Sequence, residues 1–584
     1  MKKHPFYKFI VLIFLLSFNT VFGNGNPEPE NKRVKALIQV WGLVKYRSTN
    51  GAQGKFNADS TFLALVNKVK QADKNQFEAL ILALLKENPG KPQVNKPLGD
   101  QRQSLTKNIA YSWTKHRVFT AAVKKELFAL TITYHPNDEH YFIPKVYYEG
   151  KIPHENTYLD YKFNDEAMNL LALAKAWNAI VYLFPYRYVM DQKWDVTLAK
   201  LIPVFSGIKS RAAYEKSILL LATALDDTHA SGFLTQVKSK AEIFDLKYYP
   251  PFVYKIYRNQ LLITAFLNDS LAQRSALKVG DVIVSIGGIK TNEWLKQRAS
   301  LLPASNQGVK NRLLTSVDAY AFSALHQEIK VKVKRANRPF DLQLELLERN
   351  DKNTGLVVNT YYKQKAAQDQ LIKPYEDLPN DVALISAGYF FDKDLPKADE
   401  LMNFSENLNK KKAIIFDMRK YPAAPGLFYY YIPMALGKPA FKFAQYFGAD
   451  LSNPGAFTKK DDLAVFLSKD IKTTMPLYQG KIVILTNENT QSMGEWFTMM
   501  LRQINSNTVV IGSQTAGADG DLKYLNLPGG YEFLFTGNGI FYPNGKETQR
   551  VGILPDVRYR PSIAELLSTK DSQLEKALVY LRNE

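Results

Sequence analysis

Val483–Thr515 reads VILTNENTQSMGEWFTMMLRQINSNTVVIGSQT, and the fold class follows from it. Lys481–Asn487 (KIVILTN) is a continuous β-branched run bounded by polar residues, the pattern of a buried parallel strand. Glu488–Gln491 is a polar turn, Ser492 opens a helix, Asn505–Asn507 ends it, and Thr508–Gly512 (TVVIG) is the next short strand. Ser492 therefore stands on a sharp strand-to-helix junction, at the positive end of a helix dipole. The N–H groups that follow are unpaired inside the helix and can hold an anion. That placement suits a nucleophile whose tetrahedral oxyanion needs backbone donors. A plainer meaning competes with it. Ser492-x-x-Glu495 is also a capping box, in which serine and glutamate satisfy each other's backbone donors, and the pattern is common at helix starts.

At 584 residues the chain is long enough for several domains, on a prior of about 150 residues each. An apolar content of 46% supports packed cores and argues against a disordered chain. Lys2, Lys3 and Lys8, the apolar Phe9–Phe18 and the small-residue site at Val21-Phe22-Gly23 have the form of a secretory signal over residues 1–23. The apolar stretch is too short for a stable membrane span. The expected location is therefore exported: periplasm, cell envelope or outside the cell. With no cysteine, neither disulfides nor lipoprotein anchoring is open to the chain. The net charge is +20, and removing residues 1–23 takes three lysines and no acid, leaving +17. The lysines are dispersed without interleaved aromatics, so a solvated surface is expected and not a nucleic-acid interface.

In chain order, a helical region carries an internal repeat. Val40-Trp41-Gly-Leu-Val-Lys-Tyr matches Ala176-Trp177-Asn-Ala-Ile-Val-Tyr, and eighteen residues after each tryptophan comes an aspartate, Asp59 and Asp195. The common offset of 136 predicts two copies of one helical unit, residues 24–110 and 166–244. Between them, residues 111–165 read as a β-rich connector, from the alternation in LFALTITY and YFIPKVYY. Residues 245–350 read as a β module with an inserted segment, Leu301–Leu325, and Asp351–Leu371 as a polar linker. Within 351–584 the pattern alternates strand and helix, an α/β core.

A serine hydroxyl needs a partner to take its proton near neutral pH. No histidine lies beyond His326, so a histidine base must come from a distant part of the chain. His229 follows the Asp226-Asp227-Thr228 cap of an apolar helix, and the other repeat copy lacks it. His135 and His140 have no zinc-motif spacing, so neither a metal nor any other cofactor is expected.

Leu225-Asp-Asp-Thr-His229, Gly280-Asp281 with its following strand, Ile415-Phe-Asp417-Met-Arg419, Thr490-Gln-Ser492-x-x-Glu495, Gly512-x-x-Thr515-x-Gly517 and Gly552-Ile-Leu-Pro555-Asp556-Val occur in that order. Together they resemble the C-terminal-processing (tail-specific) serine peptidases, in the branch that includes the tricorn core. The resemblance covers about residues 166–580. It implies a crotonase-like α/β catalytic core, a PDZ-like module that recruits a polypeptide, often by its free C-terminus, and amide hydrolysis with Ser492 as nucleophile. The lysine of the family's other branch would fall at Ala518, so the resemblance points to Thr228-His229 for the base. Its tetrad position, a glutamate in the family, is Gln549 here. The Gly-rich turn that follows Asp-x-Arg is replaced by Lys420-Tyr421-Pro422-Ala423-Ala424, and Pro422 has no N–H to offer. The expected oxyanion donors are then the N–H groups of Met493 and Ala423. Glu495, Asp417 and Arg419 are expected to support the site.

The sequence thus predicts an exported serine peptidase in which His229 takes the Ser492 proton and Thr228 and Gln549 orient the relay. One alternative is a peptide-binding protein of the same fold, its catalysis weakened or lost through Pro422 and Gln549. Another is a binder of anionic envelope polymers. Substrate identity and oligomeric state are not legible at this stage.

Overall fold

The structure, a computed structural model, describes residues 29–91, 104–133, 140–141, 150–322, 324–389, 398–438, 441–460 and 475–583. The predicted signal segment lies outside the described residues. No helix among them is long and apolar enough to cross a membrane. The chain mixes helical and sheet-containing parts, with a helical N-terminal region, an antiparallel β module and an α/β core.

The core is a six-stranded sheet in the order Tyr375–Leu378, Val382–Ser386, Ala413–Asp417, Lys481–Thr486, Thr508–Gly512, Val557–Arg558. Only the first pair is antiparallel. Because side chains alternate across a strand, each β-branched run feeds two cores. Ile414, Phe416, Ile482, Ile484 and Val510 pack with Phe497, Met500 and Leu501 of the Met493–Arg502 helix. Ile415, Val483, Leu485 and Ile511 pack on the opposite face with Ala577 of the terminal Ser572–Asn583 helix. Ser492 thereby leaves the carboxyl end of a central strand, the edge of an α/β sheet where ligands bind.

The offset of 136 seen in the helical region recurs in its contacts. Trp41 Nε1 donates to the Ala58 carbonyl at 2.7 Å, and Trp177 Nε1 to the Trp194 carbonyl at 3.0 Å. Gln39 Nε2 reaches Asp195 at 3.4 Å while Lys175 Nζ reaches Asp59 at 3.5 Å. Gly42 packs on Asn178, whose side chain leaves no room for a Cβ. A buried charge cluster ties the chain around residue 155 to these helices. Lys45 Nζ is 2.5 Å from Glu155 Oε1 and Lys175 Nζ 3.1 Å from Glu155 Oε2.

Two expectations need correction. The connector is not β-rich among its described residues: Ala121–Thr131 is an α-helix capped by Thr120. Its buried residues Val123, Leu127 and Leu130 have helical spacing, and that periodicity outweighs the short alternation in LFALTITY. The tract YFIPKVYY lies mostly outside the described residues. Nor is the stretch after Asp351 a linker. Lys352–Asp369 is a helix, N-capped by the Asp351 side chain, that buries little besides Thr354.

The β module has the strand order Phe252–Tyr257, Gln260–Phe266, Val282–Ile286, Glu328–Arg335, Arg338–Glu345, all antiparallel. Arg335 holds Asp281 bidentately, with Nε to Oδ1 at 2.8 Å and Nη2 to Oδ2 at 2.7 Å. This pair closes the Gly280-Asp281 turn.

Candidate active site

The turn before the helix is fastened first. Thr490 Oγ1 donates to the Met418 carbonyl at 2.7 Å, and the Thr490 carbonyl accepts Ala516 N–H at 2.9 Å. Ser492 follows with φ 52° and ψ −118°, a left-handed backbone that a non-glycine residue adopts at a cost of about 1–3 kcal/mol. Glu495 N–H bonds to the Ser492 carbonyl at 2.8 Å, and Glu495 Oε2 accepts Ser492 N–H at 3.1 Å. Met493 N–H, at the first helical position, has no acceptor among the described residues. It is available for an oxyanion.

Glu495 is a hub. Its buried carboxylate also accepts Gly517 N–H at 2.8 Å, Ala518 N–H at 3.0 Å and the Thr515 hydroxyl. Burial pushes its pKa up, while these four donors pull it down. The Gly517–Gly520 wall is thus tied to the nucleophile's own helix. Asp417 and Arg419 pair bidentately, at 2.8 and 2.7 Å, and Arg419 also holds Asp571. Their role is to shape the end of the neighbouring strand.

On the other side, His229 is buried in the segment Thr228–Thr235. Its Nδ1 lies 2.8 Å from Thr536 Oγ1, and Thr536 Oγ1 lies 3.0 Å from Asp227 Oδ1. An ionised carboxylate only accepts, so the threonine proton goes to Asp227 and the threonine oxygen accepts Nδ1–H. This assigns the tautomer: Nε2 carries the lone pair, the state a base needs. Burial lowers the His229 pKa, and Asp227 and Asp521 raise it in opposition. Asp227 is itself fully buried and further fixed by Thr536 N–H at 2.7 Å and His229 N–H at 3.1 Å.

The segment Ala518–Gly520 joins these two sides. The Ala518 carbonyl accepts Ser492 N–H at 3.1 Å. Two residues on, Gly520 packs so closely on Thr536 that a Cβ there would stand 3.0 Å from the threonine methyl. The serine turn and the histidine cluster therefore flank the same three residues. Between them, Asp519 is buried with Oδ1 on Gly520 N–H at 2.8 Å, and burial lifts its pKa well above the usual carboxylate range.

Gln549 is buried at the same cluster, its Nε2 3.4 Å from Asp227 Oδ1. Glu547, two residues before it, accepts from Tyr188 at 2.7 Å. Thr228 does not reach the imidazole through its hydroxyl. It is bound to Ser305, with Oγ1 to Oγ at 2.9 Å, and the hydroxyl beside His229 Nδ1 is that of Thr536. Ala423 also differs from the expectation. Its N–H donates to the Ala387 carbonyl at 3.0 Å and is spent. The Pro422 ring packs instead against Gly494, 3.8 Å from where a Cβ would sit.

Sequence reasoning missed three participants. Asp227 stood in the quoted Leu-Asp-Asp-Thr-His motif but was read as a cap. Thr536 lies more than three hundred residues from His229, in an ordinary strand, Tyr531–Thr536, with no local signal. Tyr421 was passed over beside Pro422, yet the Ser492 side chain is among the groups that act on its phenol. Burial raises the Tyr421 pKa, so the phenol keeps its proton.

Residues 389–559 match the model for peptidase family S41. No curated protein matches the chain. Among solved structures, mature CPAF is similar at 11% identity and a TM-score of 0.49, over 71% of this chain and 98% of that one. The photosystem II D1 C-terminal processing protease is similar at 14% identity and a TM-score of 0.32, over 69% and 98%. The tricorn protease is similar at 13% identity and a TM-score of 0.26, over 71% and 36%.

Proposed function

We propose that this chain, which belongs to peptidase family S41 through residues 389–559, hydrolyses peptide bonds with Ser492 as nucleophile and His229 as base. The observation that carries the assignment is Ala518–Gly520, with Ser492 hydrogen-bonded to one end and the residue that holds His229 packed on the other. His229 Nε2 takes the hydroxyl proton as the serine oxygen attacks the carbonyl. Asp227 offsets the positive charge that forms on the ring, and Thr536 holds Nδ1–H in place. Met493 N–H and the Tyr421 hydroxyl receive the oxyanion. The imidazolium then returns its proton to the leaving amine, and water repeats the sequence on the acyl-enzyme.

The finer architecture belongs to the same reading. The six-stranded core is crotonase-like and the antiparallel module is PDZ-like, presenting a polypeptide end to the cleft. The N-terminal helices are two copies of one unit, in keeping with the paired contacts at the 136 offset. On this reading the basic, apolar and small-residue stretches of residues 1–23 are a secretory signal, and the mature protein works outside the cytoplasm.

A fluorophosphonate probe tests the assignment. Labelling is expected in the native chain and lost in Ser492→Ala and His229→Ala. Labelling or peptide cleavage that survives Ser492→Ala overturns it. A second reading, a peptide-binding protein with weakened catalysis, is favoured by the spent Ala423 N–H. It predicts peptide binding with no labelling in the native chain.

A further inference from the structure

We propose that Leu301–Leu325, the insertion in the antiparallel module, is a brace that sets the Ser492 turn and the His229 segment against each other. Asn306 and Arg312 act as its positioning residues. This rests on the peptidase reading for its catalytic consequence and on geometry for the brace itself.

The eight-residue span Ser305–Arg312 reaches both sides of the site. Toward the histidine, Ser305 Oγ accepts Thr228 N–H at 2.8 Å and pairs with the Thr228 hydroxyl at 2.9 Å, while Ser305 N–H donates to Thr228 Oγ1 at 3.0 Å. Three hydrogen bonds thus fix Thr228, one through its backbone and two through its hydroxyl, immediately before His229. Toward the serine, Asn306 Nδ2 donates to the carbonyls of Thr515 and Ala516, at 2.8 and 3.0 Å. Arg312 donates from Nη1 to the Glu488 carbonyl and from Nη2 to Gln491 Oε1, both at 2.8 Å. The Arg312 hydrogen-bond acceptors are neutral groups in the turn that leads into Ser492, and its charge also acts on the Glu488 and Glu495 carboxylates. Packing closes the joint: Ala304 and Val309 form an apolar cluster with Ala516. Gly308 comes so near Glu488 that a Cβ would lie 3.2 Å from its Cβ.

Asn306 does two jobs with one amide. Its Oδ1 caps the Gln307–Leu314 helix by accepting Val309 N–H at 3.1 Å, while its Nδ2 makes the two bonds to the wall. Asn306→Asp separates them, because aspartate caps as well as asparagine but has no donors. It also sets a carboxylate against two carbonyl oxygens.

The experiment compares the full-length native chain with Asn306→Asp, Arg312→Gln, Thr228→Val and Thr228→Ser. It reads fluorophosphonate labelling rate, the split between kcat and KM, and amide hydrogen exchange. Losing two hydrogen bonds predicts exchange in peptides spanning Glu488–Gly494 faster by about tenfold or more. Exchange in the Glu328–Arg335 strand is expected to stay unchanged. Labelling and kcat should fall by about the same factor with KM held. Thr228→Ser, which keeps the hydroxyl, is expected to match the native chain, and Thr228→Val to behave like the Asn306 variant. Exchange around Ser492 within twofold of the native value in both Asn306→Asp and Arg312→Gln overturns the brace. So does acceleration shared equally by Glu328–Arg335, which means general destabilisation. A native chain that takes no label defeats the peptidase reading instead, and the exchange data still decide the brace.

Discussion

Asp227→Asn removes one charge and almost no volume from the buried cluster that holds His229. Asp227 Oδ1 lies 3.7 Å from His229 Nδ1, with Thr536 bridging the two. At an effective dielectric of about 20, unit charges at that separation interact by roughly 4 kcal/mol, available only when the ring is protonated. In the proposed mechanism that form appears as the serine attacks, so the expected loss falls on the transition state. It corresponds to about a thousandfold fall in kcat/KM. The amide can still accept Thr536 N–H, so the fold should persist. The pH dependence supplies an independent reading. Asp227 raises the His229 pKa against a larger lowering by burial. Without it the acid limb of kcat/KM is expected to move down in pH. The assay is peptide hydrolysis and probe labelling from about pH 4 to about pH 8, with circular dichroism to confirm folding. Activity within about threefold of the native chain and an unmoved acid limb would show that Asp227 has no part in the proton relay.

Tyr421→Phe should lower the labelling rate by about tenfold to a hundredfold with little change in KM. The missing donor serves only the oxyanion, and the half-exposed phenol is worth less than a buried amide; parallel changes in KM and kcat would argue for a binding role. Gln549→Glu places a second carboxylate beside Asp227 and should raise the His229 pKa, so the acid limb of labelling moves to higher pH. A limb that moves down would mean that the added carboxyl stays protonated and acts only as a donor. Glu155→Gln leaves Lys45 and Lys175, each about 1% exposed, without their shared counter-charge. It should cost about 3–5 kcal/mol, read as a lower urea midpoint for the helical region; a loss under about 1 kcal/mol would mean that the cluster is solvated on opening.

What could be read from the chain depended on how local its cause was. The strands Lys481–Thr486 and Thr508–Gly512 follow from β-branched runs, which feed both faces of one sheet. The offset of 136 was visible because each tryptophan reaches a partner seventeen residues on, within its own unit. Ala121–Thr131 was misread because four alternating letters at its end drew more weight than a helical spacing of three buried residues. Lys352–Asp369 was missed because a helix with almost no buried side presents no apolar period. At the site, Ser492 and His229 were legible as types in known surroundings. Thr536, Ser305, Asn306 and Arg312 were not, because each acts through a tertiary contact that no neighbouring residue announces.

The capping box remains the strongest objection to a reactive serine, and the chain carries its own control for it. Ser562-x-x-Glu565 has the same spelling as Ser492-x-x-Glu495. At Ser562 the backbone is extended, with φ −69° and ψ 169°, and the hydroxyl accepts Glu565 N–H at 3.3 Å. Ser210 caps its helix in the same extended state, with φ −147°. At Ser492 the backbone is left-handed, and Glu495 N–H reaches the serine carbonyl at 2.8 Å. A cap alone gives no reason to hold that strain, since an extended serine would serve at lower cost. The strain is maintained from outside: Glu495 gathers Ser492, Gly517 and Ala518, and Thr490 pins the turn to Met418. What the left-handed turn gains is a hydroxyl lifted beside Tyr421 with Met493 N–H unspent below it. That arrangement has a use only if something with a developing negative charge is to be held there.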